Sequence, residues 1–264
     1  MSGASMQAKR VFITGASSGL GAALARQYAN EGATLGLVAR RGEVLRELAA
    51  SLPNAERHRV YALDVSNHAA LANAAADFIA AAQGIDIVIA NAGISRGTLT
   101  EYTEDLHVFE KIFATNVTAT VATFAPFIAT MKAQAAAGQT GARLVGIGSV
   151  AGIRGLPGAG AYSASKAAVI SYCESLRVEL QKDGIKVVTI APGYIDTPMT
   201  QVNDYAMPFL MPVEKFAERG VATIAAGCSY RVIPWQMGVV AKVLRLLPNW
   251  LYDLLFTNAP RKKR

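Results

Sequence analysis

The sequence predicts a single α/β domain, a doubly wound, mostly parallel, seven-stranded sheet with helices on both faces. Three observations predict it. Short, continuously apolar runs alternate along the chain with segments of helical periodicity, which is how parallel strands buried on both faces read in sequence. The 264 residues suit one such sheet, and no internal repeat, linker or composition break divides them. With 52% hydrophobic and 17% charged residues, the chain has material for a large core, which excludes global disorder.

The first strand is Val11-Phe12-Ile13-Thr14, and it runs into Gly15-Ala16-Ser17-Ser18-Gly19-Leu20-Gly21. A helical segment follows, with Leu24, Ala25, Tyr28 and Ala29 at helical spacing. Strand, glycine turn and helix together aim backbone N–H groups and a helix N-terminus at a phosphate. Gly15 can supply the tight turn, while Gly19 and Gly21 let a pyrophosphate and the neighbouring strand come close. The second strand, residues 33–39, ends in Arg40-Arg41. An acid near this point binds a ribose 2′-OH, whereas an arginine accommodates a 2′-phosphate, so NADP(H) is expected in preference to NAD(H). Residues 59–63 form the third strand, which exits through Asp64-Val65 into an alanine-rich helix near 67–82. The fourth strand, 85–90, is wholly apolar apart from Asp86 and runs into Asn91-Ala92-Gly93.

A long helix is expected over about 105–134, buried or facing another subunit. Its apolar middle, 117–131, is too short for a membrane span and carries Pro126. Asn116 stands at its apolar face, where an amide needs partners. The fifth strand, 142–148, delivers Ser149 at the C-terminal edge of the sheet, where open α/β sheets bind ligands. A glycine-rich loop, 152–160, then leads to Tyr162-Ser163-Ala164-Ser165-Lys166 at the head of a helix over about 161–181. Four residues apart on one helix face, Tyr162 and Lys166 have Cβ atoms about 5–6 Å apart. A phenol releases its proton near pH ~10, and an ammonium beside it favours the phenolate. Tuned in this way, a tyrosine can exchange a proton with a substrate oxygen. The sixth strand, 185–191, closes with Pro192-Gly193; residues 194–212, with three prolines, form a candidate substrate lid. A helix near 213–226 and a strand near 230–233 complete the sheet.

Charge and rare residues narrow the function. Net charge is +7, but residues 229–264 hold seven Lys and Arg against Asp253 alone, so the body is near neutral. That distribution does not suit a nucleic-acid-binding surface. Cys173 and Cys228 match no metal or disulfide spacing, and His58, His68 and His107 are scattered, so no metal site is expected. The N-terminus lacks the apolar core of a signal peptide, and with the cysteine usage this gives a cytoplasmic expectation.

In this order the motifs resemble those of the short-chain dehydrogenase/reductase family, in its compact form of about 250 residues and with its Rossmann-type fold. The resemblance covers residues 9 to about 200. It rests on Thr14 to Gly21, Asp64-Val65, Asn91-Ala92-Gly93, Asn116-Val117, Ser149, Tyr162-x-x-x-Lys166 and Pro192-Gly193-x-x-x-Thr197. It implies Tyr162 as catalytic acid/base, with Lys166 lowering its pKa and holding the nicotinamide ribose. Ser149 would hydrogen-bond the substrate oxygen, and Asn116 would position a water in a proton relay through Lys166. On the cofactor side it implies Gly15, Ser17, Ser18, Gly19, Leu20 and Gly21 at the phosphates. Asp64 and Val65 would flank the adenine, and Asn91, Ala92 and Gly93 would lie by the adenosine ribose. Pro192, Gly193, Ile195 and Thr197 would border the carboxamide.

The reading is then an NADP(H)-dependent carbonyl reductase or alcohol dehydrogenase acting on a small-molecule carbonyl or alcohol. Ile153, Leu156, Tyr194, Met207, Phe209, Leu210 and Met211 are candidate pocket residues, and their apolar character suggests a lipophilic substrate. Epimerases and dehydratases share the Tyr–Lys pair but need a larger C-terminal domain. A catalytically silent nucleotide-binding scaffold or sensor would be expected to lack Tyr162, Lys166 or Ser149. The two long apolar helices exceed what one sheet covers, so a homo-oligomer, dimer or tetramer, is expected. The extension from 235 to 264, broken at Pro248 and ending Arg261-Lys262-Lys263-Arg264, is expected to cap the pocket or a partner subunit. Weak contact with an anionic membrane surface is the other reading of this extension.

Overall fold

The structure, a computed structural model, describes residues 8–258. Seven strands form one sheet: β1 (Arg10–Thr14), β2 (Thr34–Ala39), β3 (Arg59–Ala62), β4 (Ile87–Ala90), β5 (Arg143–Ile147), β6 (Lys186–Pro192) and β7 (Tyr230–Ile233). Their order is β3-β2-β1-β4-β5-β6-β7, and every pair is parallel, so the sheet is wholly rather than mostly parallel. The connections wind outward in both directions from β1 and β4, so the crevice at their carboxyl ends is the switch point where such sheets bind ligands.

Both faces of the sheet are covered. α1 (Gly19–Asn30), α2 (Gly42–Ser51) and α8 (Val213–Ala226) cover one, burying Leu24, Tyr28, Leu45 and Phe216 against Ile13, Leu37 and Ile190. α3 (His68–Ala82), α5 (Ala119–Ala136) and α6 (Gly160–Glu179) cover the other, burying Phe78, Phe124, Phe127 and Leu176 against Phe12, Val88 and Leu144. Alternate residues of each strand thus feed two cores, which is why the strands read as continuous apolar runs.

The structure refines the sequence reading in four places. The helix expected over 105–134 is a helical tract with an irregular centre: α4 (Leu106–Phe113), a π-helical turn Ala114–Thr118, then α5. The extra residue in that turn rotates Asn116 inward, a common use of π turns at functional sites. Counted from Thr103 to Ala136, this tract is long and apolar enough to cross a membrane, yet Phe124, Phe127 and Met131 on it are completely buried in the core. α2 was not read from the sequence. β4 begins at Ile87 rather than 85 because the Gln134 side chain takes both backbone groups of Ile85 (2.9 and 2.7 Å). The extension from 235 forms α9 (Trp235–Leu246) and α10 (Asn249–Phe256), separated at Pro248; its last residues, including the basic tetrad, lie outside the described ones.

Candidate active site

The glycine turn is wedged into the crevice. Thr14 Oγ1 accepts from the backbone N–H groups of Asn91 and Ala92 (3.1 and 3.2 Å), and Asn91 Nδ2 donates to the carbonyls of Thr14 and Gly15 (3.0 and 3.2 Å). Gly15 has φ +68°, and a Cβ there would lie 2.8 Å from Ala92 Cα; one on Gly21 would lie 2.3 Å from the Gly15 carbonyl oxygen. Only glycine lets β1, the turn and α1 close to this separation. The side-chain nitrogen of Asn91 therefore holds the turn in place.

Ser18 is the N-cap of α1 but makes no capping bond with its side chain. Its hydroxyl accepts instead from Arg41 Nη2 at 2.8 Å, and Ser17 Oγ accepts from the same nitrogen at 3.1 Å. The sequence treats Arg40 and Arg41 alike; the structure separates them. Both are exposed, but Arg41 folds back over the turn, while Arg40 lies 3.8 Å from Asp64. Asp64 is held chiefly by Ser66, whose N–H and hydroxyl donate to it at 2.9 and 2.8 Å. The Ser66 N–H, helped by the hydroxyl and by Arg40, holds this carboxyl below the usual carboxylate range against the opposing effect of burial.

At the other end of the crevice stand the sequence-predicted reaction groups. β5 carries the chain to Ser149, which is buried, and its Oγ accepts from Ala151 N–H at 3.1 Å. α6 opens at Gly160, so Tyr162 falls in its first turn and Lys166 one turn later. Tyr162 and Ser149 are hydrogen-bonded to each other. Lys166 Nζ donates to the Ile147 carbonyl at 2.8 Å and lies 5.9 Å from the Tyr162 ring centre. Burial pushes the lysine down to about 8. The phenol differs from expectation: burial pushes it up, Ser149 pulls it back in part, and Lys166 does not dominate the balance. An ammonium bound to a carbonyl at the ring's flank exerts less on the hydroxyl than one bonded to it.

Asn116 finds the partners an inward amide needs. Its Oδ1 accepts from Ile94 N–H (2.8 Å), and Nδ2 donates to the Ile94 carbonyl (3.0 Å) and to Ser165 Oγ (2.9 Å). Ser165 Oγ in turn donates to the Tyr162 carbonyl at 2.8 Å, so Asn116 ties the end of β4 to the helix that carries Tyr162 and Lys166.

A continuous cavity of about 330 Å³ joins the two ends. Of the predicted catalytic and cofactor-binding residues, all but Gly21 and Asn116 line it; none of the seven candidate substrate-pocket residues does. Sequence reasoning missed Ala39, Leu63, Ile94, Thr115, Ile147 and Gly148, which line it between the named motifs, and Pro198, Met199 and Thr200 of α7 (Pro198–Gln201). The cavity suits a dinucleotide. It has a helix N-terminus and two serine hydroxyls at one end, an arginine beside them, and a buried lysine and phenol at the other.

The segment 194–212 arches over this end. Its base is pinned where Ile195 bridges Met211, through Met211 N–H to the Tyr194 carbonyl (3.0 Å) and Asp196 N–H to the Met211 carbonyl (2.9 Å). Tyr205 packs edge-on to Tyr194 and comes near enough to Tyr162 to feel its charge. The expected pocket set needs correction: Met211 is buried in the core, and Phe209 and Leu210 are half exposed. Phe209 takes a left-handed backbone (φ +59°). Ile153, Leu156, Tyr194 and Met207 are half-buried. Behind the Ser149 loop, Arg154 donates to the Leu244 and Leu247 carbonyls (the latter at 2.7 Å) and stacks 3.9 Å over the Tyr252 ring. Among the described residues, no group of three or more His, Cys, Asp or Glu could hold a metal ion.

Comparison with known proteins finds oxidoreductases. A Myxococcus xanthus protein described as an uncharacterized oxidoreductase is 36% identical over 95% of this chain and 97% of its own length. Sulfoacetaldehyde reductase 2 of Chromohalobacter salexigens is 35% identical over 73% of this chain and 75% of its own. Among solved structures, 3-ketoacyl-(acyl-carrier-protein) reductase from Brucella melitensis, complexed with NADH, superposes with a TM-score of 0.78. It is 25% identical, over 85% of this chain and 96% of that one. The short chain dehydrogenase family profile matches residues 9–207, and the chain is a member of that family, an oxidoreductase with a Rossmann-type nucleotide-binding fold.

Proposed function

We propose that the protein transfers hydride between NADP(H) and a lipophilic carbonyl or secondary alcohol. The observation that carries the cofactor choice is Arg41, bonded to Ser17 and Ser18 at the end of β2, where the chain carries two arginines in place of an acid. The Brucella neighbour holds NADH, so the preference rests on this chain's own arginine. A guanidinium beside two hydroxyls offers a phosphate charge-assisted, geometrically matched donors.

Bound in the cavity, the nicotinamide supplies or accepts the hydride. Tyr162 gives the proton to the nascent alkoxide during reduction and takes it during oxidation. Ser149, hydrogen-bonded to Tyr162 and facing the same cavity, donates to the substrate oxygen as charge grows there. Lys166 holds the ribose and supplies positive charge. Asn116, with its amide committed to Ile94 and Ser165, acts as a positioning residue for this helix turn. Ile94, Ile195, Pro198 and Met199, which line the cavity, support a lipophilic substrate. With Tyr162, Lys166 and Ser149 all present, a silent scaffold is not favoured. Cytoplasmic location belongs to the same proposal, supported by free thiols at Cys173 and Cys228.

The test is NADPH and NADH affinity in the unmodified protein and in Arg41→Ala, followed by a ketone and alcohol panel. Loss of a charge-assisted contact is worth about 1.5–3 kcal/mol, so Arg41→Ala should weaken NADPH roughly 10- to 150-fold and leave NADH nearly unchanged. Equal affinity for both cofactors in the unmodified protein overturns the NADP(H) assignment.

A further inference from the structure

The inward side of the C-terminal helices is already spent. Met237 and Ala241 are buried, and Met237 packs so closely on Gly193 that a Cβ there would meet its Cγ at 2.6 Å. Tyr252 is buried and its hydroxyl donates to the Gly155 carbonyl at 2.5 Å. The outward side is different. On α9, Trp235, Val239, Val243 and Leu246 recur at i, i+4, i+8 and i+11, one face of a helix, and are 52–83% exposed. Trp250 and Leu254 on α10 are 70% and 72% exposed. Single exposed apolar residues are ordinary, but a stripe of this length with a tryptophan at its start is not.

We propose that this face docks the protein on an anionic lipid surface. Charge selects that occupant. Lys242 and Arg245 are exposed beside the stripe, and residues 229–264 carry seven Lys and Arg against Asp253 alone, four of them at the very C-terminus. A second copy of the chain is a poor match. Two-fold pairing through this face would set the same cations against each other. An anionic bilayer attracts each of them, accepts the apolar stripe at the acyl boundary and seats tryptophan at the headgroup level. Too short and too interrupted to span, the two helices would lie in the plane of the interface. The proposal does not depend on the hydride-transfer reading.

Flotation of the full-length protein with phosphatidylcholine vesicles, with and without phosphatidylserine, tests it. Binding should require phosphatidylserine and fall with added salt. It should drop about tenfold or more in Trp235→Glu/Leu246→Glu and separately in Lys242→Glu/Arg245→Glu. Both double variants change exposed residues and should keep the parent melting temperature; the charge variant decides the matter if the apolar one unfolds. Failure to float with phosphatidylserine vesicles at low salt overturns the proposal, as does equal flotation with phosphatidylcholine alone. A fall in solution mass in the apolar variant would assign the face to a second copy and equally overturn it.

Discussion

At the scale of the residue, the site turns on two side chains that burial pushes in opposite directions. Tyr162 is held up and Lys166 held down to about 8, so each is biased toward its neutral form. Replacing Tyr162 with Phe removes the proposed proton donor but little volume. Turnover is expected to fall by the equivalent of about 2–4 kcal/mol while cofactor affinity is kept. Single-turnover hydride transfer at the parental rate in that variant would rule out the role. Lys166 gives a stability signature as well. Its pKa is about 8 when folded against an ordinary 10.5, so below pH 8 both states carry the proton and the cost of burying the charge is fully present. Between pH 8 and 10.5 the unfolded chain binds the extra proton, so stability rises with pH through that window. Lys166→Met lacks the effect. Its advantage over the parent, about 3 kcal/mol at pH 7 from this cause, should shrink toward zero by pH 10.5 in paired denaturant titrations.

At the scale of the element, what was legible in sequence followed from burial. Strands covered on both faces must be apolar throughout, so β1, β4, β5 and β6 could be read directly, as could the turns that deliver Gly15, Asn91 and Ser149. α2 escaped because its buried trio, Leu45, Leu48 and Ala49, is set among polar residues. The π turn escaped because the apolar pattern continues through it on both sides. Neighbouring arginines at a strand end look alike until the turn shows that one folds back and the other does not. The Arg154 clamp joins residues some 90 positions apart, and no local pattern records it. That clamp makes its own prediction. Arg154→Ala removes the donors to the Leu244 and Leu247 carbonyls and the stacking on Tyr252, about 2–4 kcal/mol of charge-assisted bonding and cation–π attraction. Most of the effect should be local, because α9 and α10 close the domain rather than nucleate it. Amide exchange should quicken across Asn249–Phe256 far more than in β5 or β6. Uniform loss of protection would mean that the clamp supports the whole fold.

At the scale of the whole molecule, two exposed apolar surfaces lie on different elements and call for different partners. The first, described above, is bordered by cations. The second group is Leu106 and Phe109 on α4, Val121 on α5 and Val178 on α6, exposed by 63%, 39%, 38% and 58%. Phe109 stacks on Phe113 at 4.7 Å along the same helix, and α4 packs on α6, so these side chains belong to one helical layer outside the sheet. Helices of this kind bury their surplus by pairing with their own copies about a two-fold axis, where each patch meets itself. The protein is therefore expected to be a homo-oligomer, and light scattering at micromolar concentration should give a multiple of 27.8 kDa. A charge on each helix should undo the pairing: Leu106→Glu/Val178→Glu would bring two carboxylates per copy into a dry, self-facing contact, at a desolvation cost of several kcal/mol. That variant should shift the mass toward 27.8 kDa without lowering flotation, whereas Lys242→Glu/Arg245→Glu should do the reverse. A monomeric parent protein would remove the oligomer and leave the α4–α6 layer as a bare surface.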